Sequence, residues 1–544
     1  MLDNLPILSL IAFSPLLGVI LLLFMPKDSG RQIKAIGILA TLIPLILSVF
    51  LFAQFDPHSG QPQYTEDTEW IHIPLNKEGP ALHQLTSYYF QLKYKMAVDG
   101  LSLMLVFLTA LVATMAALAS VHIKKRWKTF YILFLLLETG MLGVFMARDL
   151  LLFFMFFETT LVPMYFLIGI WGYRDRERAA NKFLIYNGIG SALMLIAFLI
   201  LVSTAGFTLQ QPDANTAHAF YTSDLDQIAH NLTDPKSYSN FGPEFAQGIP
   251  NPLNISDTLK WSMFIMLLVA FGIKLPIFPF HTWMLKVHTE APPSIVMIHS
   301  GILLKMGAYG LLRFGISLFP DLAKQWAAML AVLGIINIIY GAVLAYRQQE
   351  FKLVLAYSSI SHMGIVLLGI AAFNQIGYEG AIFQMISHGL ISALMFLMVG
   401  SMYERTGTTE LDRLGGLAKS VPFMSGILLV AGMASLGLPG LSGFISELLA
   451  FIGLFQKMPV ITAVGTLGII LAAVYVLRGV LKITFGPMPE AYLHLKDARL
   501  IEAVAMVSLT GFILLIGIYP AILSTPIQST VDMMIQNIAM KIGG

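Results

Sequence analysis

The chain has no cysteine in 544 residues. No thiolate is therefore available to hold an iron–sulfur cluster or to anchor a c-type haem. Charge is scarce as well. Asp, Glu, Lys and Arg make up 12% of the sequence, about half of what a soluble domain carries. Neither a GxGxxG loop after a strand nor a Walker loop occurs, so no nucleotide site is visible. The formal net charge of +2 singles out no acidic partner, and nothing points to nucleic acid. No basic segment precedes the first apolar run, MLDNLPILSL, so a cleaved signal peptide is not expected.

Apolar sequence fills that space, with 57% of residues hydrophobic. The expected class is an all-α polytopic membrane protein. Apolar windows give fourteen candidate spans. Seven fall near 6–25, 33–53, 97–121, 129–147, 150–170, 182–206 and 259–284; seven more near 293–317, 324–345, 353–373, 378–401, 421–455, 459–481 and 501–523. The 29 methionines and 37 phenylalanines read as lipid-facing and packing residues.

The stretch from Phe271 to Phe314 organises the rest. It is mostly apolar yet carries Lys274 and Lys305, each with long apolar runs on both sides. A lysine at the bilayer centre costs ~2.5–3.5 kcal/mol on insertion scales, so it is rare and usually functional. Pro276 and Pro279 follow Lys274 directly and should break that helix at about membrane depth. A broken helix with a charge at the break exposes backbone polar groups to a buried ion path. The window 421–455 is too long for one straight crossing and contains Gly437, Pro439, Gly440 and Gly443. It reads as a second broken helix, with Glu447 just beyond the break.

Other titratable residues lie deep in apolar segments. Glu158 stands halfway along LLLFFMFFETTLVPMYFLIG. Burial disfavours a lone carboxylate's charge, and a nearby Lys274 would keep Glu158 ionised. Glu138 is similarly deep in the fourth span and reads either as a further relay group or as a protonated structural carboxyl. His281, His299, His362 and His388 lie within spans, where a single histidine is usually a packing residue. Several in one bundle beside two lysines suit proton hopping, because imidazole titrates near working pH. They sit on separate helices without a clustered carboxylate, so no metal site is expected.

Loops alternate in charge. One set holds 21 of the 33 Lys plus Arg, counted along the sequence, and the opposite loops and tail hold nine. The positive-inside rule then makes the basic set cytoplasmic and puts both termini outside, in a bacterial-type plasma membrane. Two long polar loops, 54–96 and 207–258, are expected to cap the outer face, with no chemistry assigned. The expected divisions are 1–96, 97–317 with the first broken helix near 274–279, 318–485 with the second near 437–443, and 486–544.

The runs FGIKLPIFPFHTWMLKVH, APPSIVMIHSGILLKMGAYGLLRFG, EFKLVLAYSSISHMG and GLPGLSGFISE resemble the M-type antiporter-like chains of respiratory complex I (NADH-quinone oxidoreductase). Those chains correspond to subunit 4 of the mitochondrial complex, and the resemblance covers roughly 90–485. It implies fourteen helices with two inverted five-helix repeats, each with a broken helix. Carried over by motif, Glu158 and Lys274 resemble the coupling ion pair and Lys305 the central proton carrier. His281, His362 and His388 resemble the polar axis, joined by Glu138 and His299, and Glu447 resembles the exit-side carrier. Glutamate at 447, where the sister chains carry lysine, marks the M-type.

The implied activity is proton translocation coupled to quinone reduction elsewhere in the complex. No cofactor is expected in this chain; FMN, iron–sulfur clusters and quinone are expected on partner subunits. The implied partners are other membrane subunits, including sister antiporter-like chains, and the lipid bilayer. A Mrp-type sodium/proton antiporter subunit and a membrane subunit of a hydrogenase-type complex are the alternatives.

Overall fold

The computed structural model describes residues 5–75, 85–213, 216–242, 244–245 and 249–543. Among them, twelve helical segments are long and apolar enough to cross a membrane, and each falls on one of the fourteen expected spans. The other two spans are split. Asp257–Lys274 is followed by Thr282–Glu290, and Pro422–Ser435 by Ser442–Phe455. The chain is a multi-pass helical membrane protein.

The first break falls where two prolines remove backbone donors, and side chains satisfy what the break exposes. Phe278 N–H donates to Asn337 Oδ1 at 2.8 Å, and Asn337 Nδ2 donates to the Pro276 carbonyl at 3.3 Å. Trp283 Nε1 donates to the Ile273 carbonyl at 3.0 Å. Without water, such groups need protein partners. The second break is a glycine device. Gly437 and Gly440 take φ of +76° and +91° on either side of Pro439, in the left-handed region that favours glycine.

The span Pro293–Ile316 is continuous but widens into π-helical turns at His299–Leu303 and Leu311–Ile316. π turns displace side chains relative to a regular helix and are frequent at functional sites. Lys305 follows directly on the first turn. Capping side chains start several helices: Asp99 accepts from Ser102 N at 3.0 Å, Asp149 from Leu151 and Leu152, and Asn374 from Gly377 at 2.8 Å.

The two long loops carry order that the span reading did not anticipate. Strands β1 (Gln63–Pro74), β2 (Leu85–Val98), β3 (Phe207–Asp213) and β4 (Thr216–Thr222) form one sheet in the order β1-β2-β4-β3. The central pair, β2 and β4, is parallel. It joins segments more than a hundred residues apart, and no local pattern specifies such a pairing. Parts of both loops, 76–84, 214–215, 243 and 246–248, lie outside the described residues.

Following the chain from crossing to crossing places this sheet and the helices Leu225–Asn231 and Ala521–Gly543 at one end of the bundle, the sheet face. The loops richest in Lys and Arg lie at the other end, the basic face. There His122, Glu404 and Glu502 bring the ends of three helices together. Arg405 holds Glu502 at 2.7 Å and Arg499 lies 3.5 Å from Glu404, which makes this an ion-paired clasp.

Candidate functional site

The interior of the bundle carries a line of polar side chains through otherwise apolar packing. At its centre, the π turn aims the Lys305 ammonium back at the Ser300 carbonyl, which it reaches at 2.5 Å. Its second partner is His388 Nδ1, at 2.7 Å, contributed by the helix Gln375–Thr406. The other nitrogen of His388 lies 3.2 Å from Ser359 Oγ, on the helix Phe351–Ala371. Ser300 Oγ binds both Ser359 Oγ and Ser392 Oγ, closing a small hydroxyl network around the lysine. Lys305 is fully buried. It touches no carboxylate among the described residues.

From His388 the line continues toward the second break. The rings of His388 and His362 are 5.4 Å apart. His362 Nδ1 accepts from Gln384 Nε2 at 3.2 Å and lies 3.6 Å from Glu447 Oε1. Ser446 Oγ donates to Gln384 Oε1 at 2.5 Å. Glu447 packs directly over the break: a Cβ added at Gly437 would meet its Oε2 at 2.7 Å. Glycine at 437 therefore serves twice, for its backbone angle and for the space the carboxyl fills.

On the other side of Lys305, His299 Nδ1 is 2.9 Å from Nε2 of His288. Both rings are fully buried. One of the two nitrogens carries the shared proton, so the pair holds at most one proton at that contact. His288 stands in TWMLKVHTE, near the end of a short helix, and the span reading passed over it. Its signal was its spacing of 14 residues from Lys274 across the break, 11 before His299.

The expected Glu158–Lys274 pair is not closed. Lys274 is buried at the end of its helix, and its Nζ hydrogen-bonds no described residue. Two ring faces stand around it instead, Phe157 at 4.7 Å and Phe183 at 5.7 Å. No ion pair within 4.0 Å joins it to Glu158, whose Oε1 is also buried and without a hydrogen bond. The two charges interact only through space. His281 likewise departs from the polar axis. It sits on the first break, stacks on Phe278, and reaches Tyr340 OH at 3.2 Å instead of the other histidines. Glu138 is fully buried, and neither carboxyl oxygen has a hydrogen bond among the described residues.

A helical membrane bundle interrupted twice, with buried charge beside each interruption, has the architecture of a secondary ion transporter. Residues 147–472 match the family described as NADH:quinone oxidoreductase/Mrp antiporter, TM. The NADH-quinone oxidoreductase subunit M of Rhodobacter capsulatus is 34% identical over 99% of this chain and 98% of its own length. A chain of the respiratory complex I of Thermus thermophilus with bound NADH superposes with a TM-score of 0.78 at 28% identity, covering 99% of this chain and 100% of its own. The Mrp complex of Dietzia sp. DQ12-45-1b has a chain with a TM-score of 0.76 at 19% identity, covering 98% of this chain and 99% of its own, a likeness of fold alone. The chain belongs to the NADH:quinone oxidoreductase/Mrp antiporter family, and the subunit M of Rhodobacter capsulatus is among the relatives it matches over nearly the full length.

Proposed function

We propose that the chain is the M-type, or chain 4, proton-translocating membrane subunit of a respiratory NADH-quinone oxidoreductase. The observation that carries this reading is the buried contact between Lys305 and His388, continued through His362 to Glu447 at the second break. The full-length likeness to a subunit M selects this reading over the Mrp-type and hydrogenase-type alternatives.

In this reading the chain performs no redox chemistry. FMN, iron–sulfur clusters and quinone belong to partner subunits, and sister antiporter-like chains flank this one. The basic face is cytoplasmic and the sheet face lies outside the plasma membrane, with both termini on the outer side.

Glu158 and Lys274 form the input. With the two apart, the Lys274 ammonium has ring faces beside it and feels Glu158 only through space; when Glu158 closes on it, the pair neutralises charge beside the first break. The field on Lys305 changes accordingly, passed along the His288–His299 pair. Lys305 then gives a proton from Nζ to His388 Nδ1, and the imidazolium passes charge by way of His362 toward Glu447. Moving one charge against 100 mV requires ~2.3 kcal/mol, and a change of about two pKa units supplies roughly that much. Opening and closing one buried ion pair is therefore enough to drive the step.

Gentle detergent purification of the tagged chain, with partners identified by mass spectrometry, tests the assignment. Recovery with quinone-site and iron–sulfur subunits is expected. Recovery only with small antiporter subunits would overturn it and leave an ion exchanger.

A further inference from the structure

The turn that closes the Glu158 helix is also the anchor of the half-helix bearing His288. Glu158 lies on the helix Leu150–Trp171, and residues 172–175 follow it directly at the basic face. Tyr173 N–H donates to the Glu290 carbonyl at 2.7 Å, and Asp175 N–H donates to Glu290 Oε2 at 2.9 Å. Glu290 is the last residue of the half-helix Thr282–Glu290. Lys286, one turn back on the same face, lies 3.9 Å from the Asp175 carboxylate. The approach is close: a Cβ added at Gly172 would meet the Glu290 carbonyl oxygen at 2.9 Å.

The Tyr173 ring extends this junction to two further helices. The Lys352 ammonium stands over it at 3.8 Å and over the Tyr403 ring at 4.9 Å. Lys352 lies in the first turn of the helix Phe351–Ala371, which bears Ser359 and His362. Tyr403 lies near the end of the helix Gln375–Thr406, which bears His388. One turn therefore touches the basic-face ends of three elements of the polar line.

We propose that Glu290 is a positioning residue, through which the turn 172–175 couples the Glu158 helix to Lys305. The inference rests on the proton-translocating reading above and adds how its input reaches the central lysine. Every link is a covalent segment or a direct contact. From Glu158 the helix runs to Tyr173, whose N–H holds Glu290. Two residues before Glu290, His288 meets His299 at 2.9 Å. His299 adjoins Ser300, whose carbonyl holds the Lys305 ammonium at 2.5 Å. A shift of the Glu158 helix as it closes on Lys274 is thus passed to the contacts of Lys305, with no charge moving through the turn.

A purely structural role does not call for the Glu290 carboxylate. Asp175 N–H lies at the exposed basic face, where water would satisfy it. Glu290 instead reaches in from another element to hold the first N–H of the helix Arg176–Ser203, the part that a glutamate three residues on plays in a capping box. That helix carries Phe183, whose ring faces Lys274 and packs on Trp283 of the half-helix. Glu290 therefore ties the half-helix to both helices that flank the Glu158–Lys274 gap.

The test uses the intact complex in sealed vesicles and reads acidification per quinone reduced, a ratio that poorer assembly alone leaves unchanged. Glu290→Ala removes the carboxylate, and Asp175→Pro removes the N–H that it accepts, at a helix start where proline is tolerated. Each is expected to lower the ratio to a value between wild type and Lys305→Met. Both delete the same bond, so the double variant should fall no further than the lower single one. Glu290→Gln keeps an acceptor oxygen and should recover most of the loss. Glu158→Gln cannot form the charged input pair, and Glu290→Ala added to it should lower the ratio no further. If Glu290→Ala does not assemble, Asp175→Pro, which leaves Glu290 in place, decides alone. Wild-type ratios in the assembled variants would overturn the coupling, as would a further loss when Glu290→Ala is added to Glu158→Gln. An unchanged ratio in Lys305→Met would remove the proton-translocating reading itself, and the coupling with it.

Discussion

Lys305 Nζ and His388 Nδ1 stand 2.7 Å apart, although 83 residues separate them in the chain. An ammonium offers only donors, so Nδ1 accepts and the neutral imidazole carries its proton on Nε2. That proton points at Ser359 Oγ, 3.2 Å away. The lysine thus selects the tautomer of its histidine partner. Transfer along this contact needs only exchange between Nδ1 and Nζ, with no side chain moving.

In the proposed relay Lys305 must let its proton go, so a cation that never does cannot replace it. Arginine stays protonated throughout the accessible pH range. Lys305→Arg keeps the charge and should fail as fully as Lys305→Met, with proton transport through this chain reduced by ~10²-fold or more, the usual scale of a lost proton-transfer group. Acidification of vesicles by the purified complex measures it. Activity in the arginine variant would mean that Lys305 supplies charge only.

The first break depends on Asn337, which the apolar-window reading had no reason to notice. Its amide accepts from Phe278 N–H and donates to the Pro276 carbonyl. Asn337→Leu leaves both backbone groups without a partner at membrane depth, at a cost of ~1–3 kcal/mol for each group. The thermal midpoint of the complex in detergent should fall clearly below wild type. Asn337→Asp keeps the acceptor and loses the donor, so it should fall between the two. Equal midpoints for all three would show that the break is satisfied some other way.

These two cases mark what the sequence makes legible. Lys274, Lys305 and Glu447 stand out because a charge in an apolar run is costly and visible, and both breaks announce themselves through proline and glycine. His288, Ser359, Gln384 and Asn337 are ordinary polar residues in their own segments. They acquire roles only when helices far apart in sequence pack together. The same holds for the sheet, whose central parallel pair joins two loops across four crossings, and for the ion pair of Asp99 with Arg313. The open Glu158–Lys274 geometry is a further case: composition places both charges at depth, but only packing puts the Phe157 ring at the lysine.

Orientation can be read with the residue the chain lacks. With no native cysteine, single introduced thiols report without background. Trp70→Cys lies on strand β1 at the sheet face, where the side chain is exposed, and Lys125→Cys lies in an exposed loop of the basic face. In intact cells a membrane-impermeant thiol reagent should label position 70 and spare position 125, and inverted vesicles should show the reverse. The opposite pattern would invert the assignment of cytoplasmic and outer faces.

The ion pairs at the sheet face give the protein an acid limit that can be located. Burial alone would raise the Asp226 carboxyl, but Arg148 at 2.5 Å and Lys95 at 2.8 Å outweigh it and hold it down at about 2. A free aspartate titrates near ~3.9. A depressed carboxyl stabilises the folded arrangement above the free value and loses that contribution as pH falls toward the bound one. Anchoring of the helix Leu225–Asn231 should therefore hold constant from neutral pH to about 4 and weaken between about 4 and about 2. Amide exchange of that helix, corrected for the intrinsic rate at each pH, reads the change directly. Asp226 is partly exposed, so the slope should be shallow, in keeping with the ~0.2–1 kcal/mol of a solvent-accessible pair. Asp226→Asn removes the titrating group and should flatten the curve across that window. A slope that survives the substitution would assign the acid sensitivity to another carboxylate of the cluster, with Asp224, held by Lys95 at 2.8 Å, the next to replace.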